Sequence, residues 1–293
     1  MMMRYQGPIY RPPSEADSLL IQATVGCPHN KCTFCMIYKN GPRFKIRSVK
    51  SIEADLKEAR RTYGESVRTL FLPSGNTIAM PTEKLAAVCR TARQVFPQLE
   101  RITVYGSSQY IHQKGLTDLE SLAAAGLNRI HVGLESGDDT ILKQIRKGTD
   151  RQQQIEAGQW VKTAGIELSQ YVILGIGGHG RSEQHARNTA SALNAIDPDF
   201  IRLRTFVPKI NTALLRDVEN GDFRMLGAHG ILKEASSLIR NLEVTSQLTS
   251  DHYTNYINLT GRLPDARQRL LSEIEAALQM DEGAFRPFFI GTE

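Results

Sequence analysis

The sequence predicts an α/β fold: a parallel sheet curled into a partial (β/α)6 TIM-like barrel, with a short C-terminal helical extension. Three observations predict it. Six short runs rich in leucine and β-branched residues alternate with amphipathic stretches of helical period, the pattern of parallel strands joined by crossover helices. Several of those runs are apolar on one side only, whereas a parallel sheet covered on both faces reads apolar throughout. Beyond residue 207 the alternation gives way to helices.

The strand runs fall at 19–25, 69–72, 101–105, 129–134, 168–174 and 200–207. A first helix carries Ile52, Leu56, Ala59 and Tyr63 on one stripe and stops at Gly64. A second sets Leu85, Val88, Cys89, Ala92, Val95 and Phe96 on one face. Thr117 to Glu120 reads as a capping box for a third, closed by Gly126. Asp150 to Gln153 opens a fourth, which presents Ala157, Trp160, Val161 and Ala164 before Gly165. Ala186, Thr189, Ala190, Leu193 and Ile196 mark a fifth, stopped by Asp197 and Pro198.

In the last strand Ile201, Leu203, Thr205 and Val207 face one way and Phe200, Arg202, Arg204 and Phe206 the other. The fourth sets Ile130, Val132 and Leu134 against Arg129, His131 and Gly133, and the third sets Ile102 and Val104 against Arg101, Thr103 and Tyr105. Helices outside and a solvated cavity within satisfy this pattern, and such folds carry their chemistry at the carboxyl ends of the strands. Arg202, Arg204 and His131 then point inward, to hold an anion or to form a buried ion network with Glu135. In the tail, Ile231, Leu232, Ala235, Leu238, Ile239 and Leu242 form one helix, and Leu270, Leu271, Ile274, Ala277 and Leu278 another. The division expected is a barrel with its amino-terminal segment at 1–215 and a helical extension packed on it at 216–293.

The 293 residues are 41% hydrophobic, 23% charged and 7% aromatic, which excludes a disordered chain. Lysine and arginine (36) exceed aspartate and glutamate (31) by too little to imply nucleic-acid binding from charge alone. No stretch has the apolar length of a membrane span, and the start from Met1 to Gly7 lacks the apolar core of a signal peptide. A cytoplasmic enzyme is the expectation.

Three of the four cysteines, Cys27, Cys32 and Cys35, crowd into nine residues directly after the first strand. Cys89 sits on its helix's apolar stripe and reads as a buried core thiol. Thiolates favour zinc or iron–sulfur clusters. A closed zinc site needs four ligands, and His29 can supply the fourth. A [4Fe-4S] cube on three cysteines instead leaves one iron open to a small molecule.

Here the sequence resembles the radical S-adenosylmethionine (SAM) superfamily, from about Leu19 to Pro208. In that family the loop after the first strand carries three cysteines, with an aromatic residue before the last, matched by Phe34. The spacing departs from the usual one, with four residues instead of three between Cys27 and Cys32, which leaves His29 open as an additional ligand. The segment from Phe71 to Asn76 matches the family's glycine-containing motif, whose backbone meets the SAM amino group. Gly75 carries that role, and Asn76 replaces the acid at the motif's end. The segment from Gly133 to Gly137 resembles the one that meets the SAM ribose or amino group, which makes Glu135 and its neighbour Ser136 candidates. The resemblance further implies Lys147 or Arg204 for the SAM carboxylate, and Gly175 and Ile176 beside the adenine.

The activity that the resemblance implies is reductive cleavage of SAM to methionine and a 5′-deoxyadenosyl radical, which abstracts hydrogen from a substrate C–H bond. It implies a [4Fe-4S] cluster and SAM as cofactors, a small-molecule and plausibly anionic substrate, and an electron donor such as flavodoxin or ferredoxin. Neither a membrane nor a nucleic-acid partner is expected. Methylthio-transferring members carry a second cluster, which Cys89 alone cannot build. If the tail closes the barrel mouth, Asp251, His252, Asn255 and Tyr256 are the candidates to contact substrate or donate to it.

Two other readings compete. Gly175 to Gly180 spells GxGxxG after a strand, with Asp197 about twenty residues on, the fingerprint of an NAD(P)-dependent oxidoreductase. That fingerprint belongs on the first strand–helix turn, whereas here it follows the fifth predicted strand. Lys39, Arg43, Lys45 and Arg47 interleave with Tyr38 and Phe44, as in a zinc- or cluster-bearing RNA-binding module. A solvated loop over a cofactor is the preferred reading of that run.

Overall fold

The computed structural model describes residues 4–7 and 9–291; the reading of Met1 to Met3 as part of a leaderless start lies outside the described residues. The chain falls into two compact units, one comprising 1–30, 37–132 and 160–168, the other 31–36, 133–159 and 169–293. The α/β class and the mostly parallel sheet agree with the prediction.

The first unit begins with a 3₁₀ turn at Pro13–Glu15, then β1 (Leu19–Leu20), β2 (Thr24–Val25), β3 (Lys45–Ile46) and α1 (Val49–Tyr63). It continues through β4 (Thr69–Leu72), α2 (Thr82–Val95), β5 (Arg101–Gly106) and α3 (Ser108–Ala124) into β6 (Arg129–Glu135). The strands pair in parallel, with Leu19 opposite Leu70, Leu70 opposite Ile102, and Thr103 opposite Arg129. Leu70, Phe71, Leu72, Ile102, Val104, Ile130 and Val132 are buried, as are Ile52, Leu56 and Ala59 on the apolar stripe of α1.

Three expectations change here. The single strand at 19–25 is two. The Gln22 side chain exchanges hydrogen bonds with the Gln6 backbone and donates to Ser74, while Arg47 donates to the Gln22 carbonyl at 2.7 Å. The strand therefore breaks at this point, and β2 pairs antiparallel with β3 instead. The basic run is not wholly a solvated loop, because Lys45 lies in β3 and Arg47 forms a 2.7 Å ion pair with buried Asp55. The third helix starts at Ser108, before the predicted capping box, and Gly115 (φ 73°) breaks it.

The polar inner positions of this unit meet a carboxylate from outside the strands. Glu15, fully buried, accepts from Ser18 at 2.6 Å and Arg101 at 3.2 Å, with His131 Nε2 also at 3.2 Å. His131 thus belongs to a cluster around Glu15, not to the expected network with Glu135. Burial alone would raise the Glu15 carboxyl, but the hydrogen bonds from His131 and Ser18 and the Arg101 charge outweigh it and hold it at about 2. Removing one member of a buried ion cluster costs about 3–5 kcal/mol, so Glu15→Gln is expected to lower unfolding stability by about 3 kcal/mol in urea at neutral pH. A carboxyl lowered from its ordinary 4.5 contributes fully above that value and loses its contribution as the pH falls towards 2. The stability curves of the two proteins should therefore converge below pH 4.5, and a gap that stays constant with pH would contradict this role.

The second unit takes in the end of β6, α4 (Asp139–Gln144), most of α5 (Arg151–Thr163) and most of β7 (Glu167–Leu174). Then follow α6 (Gly178–Ile196), β8 (Phe200–Thr205), α7 (Ala213–Glu219), α8 (Ala228–Arg240), β9 (Gln247–Thr249), β10 (Thr260–Arg262) and α9 (Arg267–Leu278). Asp150 caps α5 by accepting from Gln153 N at 2.8 Å, and Asp197, in the left-handed region, ends α6 as expected. β7 pairs in parallel with β8, β8 with β9, and β10 closes the edge antiparallel to β9. The periodicity of the sequence did not reveal α7, β9 or β10. The two strands are three residues each, too short for a period to register. β8 also ends at Thr205, short of the predicted 207.

Candidate active site: a three-cysteine loop and a buried lysine–glutamate pair

In the first unit, Cys27 directly follows the turn at Gly26 (φ 73°), whose carbonyl accepts from Gly75 N at 3.2 Å. A Cβ on Gly75 would lie 2.8 Å from the Cys27 Cβ and 2.6 Å from the Tyr38 ring. Only glycine lets the segment after β4 approach the cysteine so closely. Asn76 is buried; its amide donates to Ser107 Oγ at 2.8 Å, while its carbonyl oxygen is buried with no partner among the described residues. It offers an acceptor where the family's motif ends in an acid.

In the second unit, Cys32, Phe34 and Cys35 are held by the backbone at Thr33. Its N–H donates to the Ile145 carbonyl at 2.9 Å, and its carbonyl accepts from Leu214 N at 3.0 Å. Phe34 packs against a buried cluster containing Ile141, Ile145, Ile176, Phe206 and Phe223, so Phe34 and Ile176 share one apolar wall.

Glu135 ends β6 with a positive φ of 64°. Its Oε1 accepts from Lys147 Nζ at 2.8 Å, both side chains being nearly buried. A Cβ on Gly133 would fall on these two charged groups, so glycine leaves the space that the pair fills. Burial would lower the Lys147 ammonium, but the charge of Glu135, joined by those of Cys32 and Cys35, outweighs it and raises it above its ordinary value. Lys147 is thus a fixed cation facing the carboxylate and the two cysteines. Ser136 is buried and accepts from Asp138 N at 3.0 Å; Asp138 in turn caps α4 and binds Arg181 and Asn188, each at 2.8 Å.

Arg204 stacks over the Tyr171 ring at 4.7 Å, and Arg202 donates to Ser169 Oγ at 3.0 Å. Glu135 is engaged by Lys147 in place of either arginine. The turn at Gly175 does not present its backbone as a phosphate cradle. Gly175 N–H donates to Glu234 at 2.6 Å, Gly178 N–H to the Gly175 carbonyl at 3.0 Å, and His179 N–H to the Arg224 carbonyl at 2.8 Å. Those donors are spent within the protein, which removes the basis of the dinucleotide reading.

Of the tail candidates, Asn255 is pinned to the end of β8, donating to the Leu203 carbonyl at 2.9 Å and accepting from Thr205 at 3.1 Å. His252 Nδ1 lies 2.7 Å from Thr254 Oγ1. Burial, helped by the charges of Arg204 and Lys209, pushes its imidazole down to about 4. It is neutral at physiological pH, and the same surroundings make it a poor proton acceptor. Tyr256 lies under the Arg286 guanidinium at 4.4 Å, and Asp251 is exposed. Asn255 and His252 therefore gather near the end of β8, while Asp251 points to solvent.

Two buried residues escaped the sequence reading, His185 on α6 and Glu234 on α8. A signal existed: each is a charge-bearing side chain on the apolar stripe of its helix.

Cys27, Cys32 and Cys35 are of intermediate exposure. Among the described residues no three Cys, His, Asp or Glu side chains gather around a common point, so the fit to a cluster rests on donor chemistry. Three soft thiol ligands within nine residues of one loop suit an iron–sulfur cluster.

An α/β fold with a mostly parallel sheet and a three-cysteine loop after its first strands defines a class of cluster-bearing enzymes. The chain belongs to the Radical SAM superfamily, which matches residues 21–193, and is a radical SAM enzyme whose cofactors are a [4Fe-4S] cluster and SAM. It is 27% identical over 213 residues to the tRNA-2-methylthio-N(6)-dimethylallyladenosine synthase of Dehalococcoides mccartyi (strain CBDB1), covering 71% of this chain and 49% of that one. The enzyme of the same name from Clostridium botulinum (strain Hall) is 26% identical over 216 residues, 69% of this chain and 46% of that one. The chain thus spans about half the length of the curated relatives it matches. Among solved structures it resembles the radical SAM methyltransferase TsrM from Kitasatospora setae, which has cobalamin and a [4Fe-4S] cluster bound, with a TM-score of 0.55 and 18% identity over 67% of this chain and 38% of that one. It also resembles methylornithine synthase (PylB), with a TM-score of 0.51 and 13% identity over 91% and 83%. These likenesses extend to the partial barrels of the superfamily. No helix of the described residues is long and apolar enough to cross a membrane.

Proposed function

We propose that this protein cleaves SAM reductively and uses the resulting radical to remove hydrogen from a substrate carbon, with its cluster on Cys27, Cys32 and Cys35. The observation that carries the reading is the placement of all three cysteines within the family-matched stretch 21–193, with Lys147 charged towards two of them. The cluster, when bound, supplies the electron that splits the sulfonium C–S bond of SAM into methionine and a 5′-deoxyadenosyl radical. The chain's own residues bind and orient. Gly75 offers backbone and Asn76 an orphaned acceptor to the SAM amino group. Lys147 and Arg204 face its carboxylate, Glu135 and Ser136 its ribose or amino group, and Phe34, Gly175 and Ile176 the apolar side of its adenine. His252, neutral and beside Asn255, contacts substrate.

The substrate favoured by Arg204 and Lys209 around His252 is a small molecule carrying an anionic group, reducing equivalents coming from a flavodoxin- or ferredoxin-like donor. A second reading, methylthio transfer to tRNA, is favoured by what the curated relatives are named for. The test is anaerobic reconstitution with iron and sulfide, followed by dithionite and SAM. Formation of 5′-deoxyadenosine is expected, and none from a fully loaded protein would refute the reading. Stimulation by tRNA with appearance of a methylthio group would favour the second reading.

A further inference from the structure

One buried pair connects the two segments of the second unit that the proposed function sets against SAM. We infer that His185 and Glu234 are positioning residues that hold the Glu135 segment and the Gly175 turn in one fixed relation, and so set SAM affinity; the inference rests on the proposed use of SAM.

The geometry runs in a line. His185 Nε2 lies 3.3 Å from the Glu135 backbone carbonyl, and its Nδ1 lies 2.9 Å from Glu234 Oε1. That same oxygen accepts the Gly175 N–H at 2.6 Å, and Oε2 accepts the Ser182 hydroxyl at 2.5 Å. One imidazole and one carboxylate thus join the end of β6, the end of β7, α6 and α8. The Glu135 segment adopts a backbone shape that needs support, whereas glycine adopts such a shape without strain. Glu135, a non-glycine residue, sits at φ 64°, and Gly175 at φ 80°. The carbonyl of buried Glu135, at the end of β6, requires a donor; His185 Nε2 is placed to supply it.

Burial would lower the imidazole, but the Glu234 charge outweighs it and raises it above its ordinary value. Both ring nitrogens therefore carry protons where the ring is charged, so His185 donates in both directions at once. The ring nitrogens of His185 and both carboxylate oxygens of Glu234 are bonded within the protein, so neither is placed to touch SAM or substrate. They act through Glu135 and Gly175. Side chains that only support cofactor-contacting groups change affinity on the order of 10-fold or more when removed.

The test is SAM titration by calorimetry on the anaerobically reconstituted full chain, comparing wild type, His185→Ala, Glu234→Ala and the core truncation Leu270→Ala. Leu270 is fully buried on α9 and controls for lost stability. Both alanine variants are expected to bind SAM on the order of 10-fold more weakly than Leu270→Ala, with iron content unchanged. Affinity equal to that of the control would overturn the inference. Where an alanine variant does not fold, His185→Gln, which donates from one nitrogen only, is titrated instead. The same weakening is expected, and wild-type affinity would again overturn it. Failure of the wild type to bind SAM would refute the proposed function itself, a result separable from any variant's.

Discussion

Replacing any one of Cys27, Cys32 or Cys35 with serine is expected to abolish 5′-deoxyadenosine formation and strip most of the iron from the reconstituted protein. A serine hydroxyl is harder and far less acidic than a thiol, so it replaces a thiolate poorly on a soft cluster. Two remaining cysteines cannot anchor the cube. The loop holds its cysteines by backbone contacts, with Gly26 bonded to Gly75 on one side and Thr33 bonded to Ile145 and Leu214 on the other. The substitution therefore removes a ligand without unfolding the loop. Cys89→Ser supplies the contrast. That thiol is fully buried in α2, and burial pushes it up to about 12, so iron content and activity should stay at the wild-type level. Iron and sulfide content per chain, with nucleoside chromatography, reads both results. Three serine variants that keep full iron and full turnover would remove the loop from the mechanism.

The second large effect concerns Glu135 and Lys147. Glu135→Ala leaves a buried ammonium without its counter-charge, and Lys147→Met leaves a buried carboxylate. Each is expected to cost about 3–5 kcal/mol of stability. The double variant Glu135→Gln, Lys147→Met buries no net charge and should recover most of that loss, yet still bind SAM poorly. Urea denaturation at neutral pH, beside a SAM titration, separates the two quantities. Lys147 is raised above its ordinary 10.5, so the pair's contribution is complete below that pH and is lost only as the pH climbs through the elevated value. Neutral buffers do not titrate it. Single variants as stable as the wild type would show that the pair is not buried as described.

Much of this architecture was legible in the sequence because it follows from period and punctuation. Helix stripes such as Ile52, Leu56 and Ala59, and stops such as Gly64 and Asp197, report local chemistry that tertiary contacts do not override. The cysteine loop was legible for a similar reason, since three thiols in nine residues have few other uses. What escaped depends on partners far apart in the chain. Gln22 leaves its strand because Gln6 and Ser74 compete for it, and no pattern within 19–25 reveals that. His131 was expected beside Glu135, but Glu15, more than a hundred residues earlier, takes it. At Gly175 the sequence left a rival dinucleotide reading open because it cannot show that Glu234 already occupies the amide.

The location of Glu234 has a practical corollary for anyone recombining relatives of this enzyme. His185 falls inside the family-matched stretch and its acid forty-nine positions later falls outside it. A chimera spliced at the boundary would inherit a buried imidazole that had lost the counter-charge for its protonated form, unless the grafted tail brought its own carboxylate to that spot. The stretch that defines the superfamily is, in this chain, electrostatically incomplete, and a compatible tail can be recognised by that one acid before any splice is made.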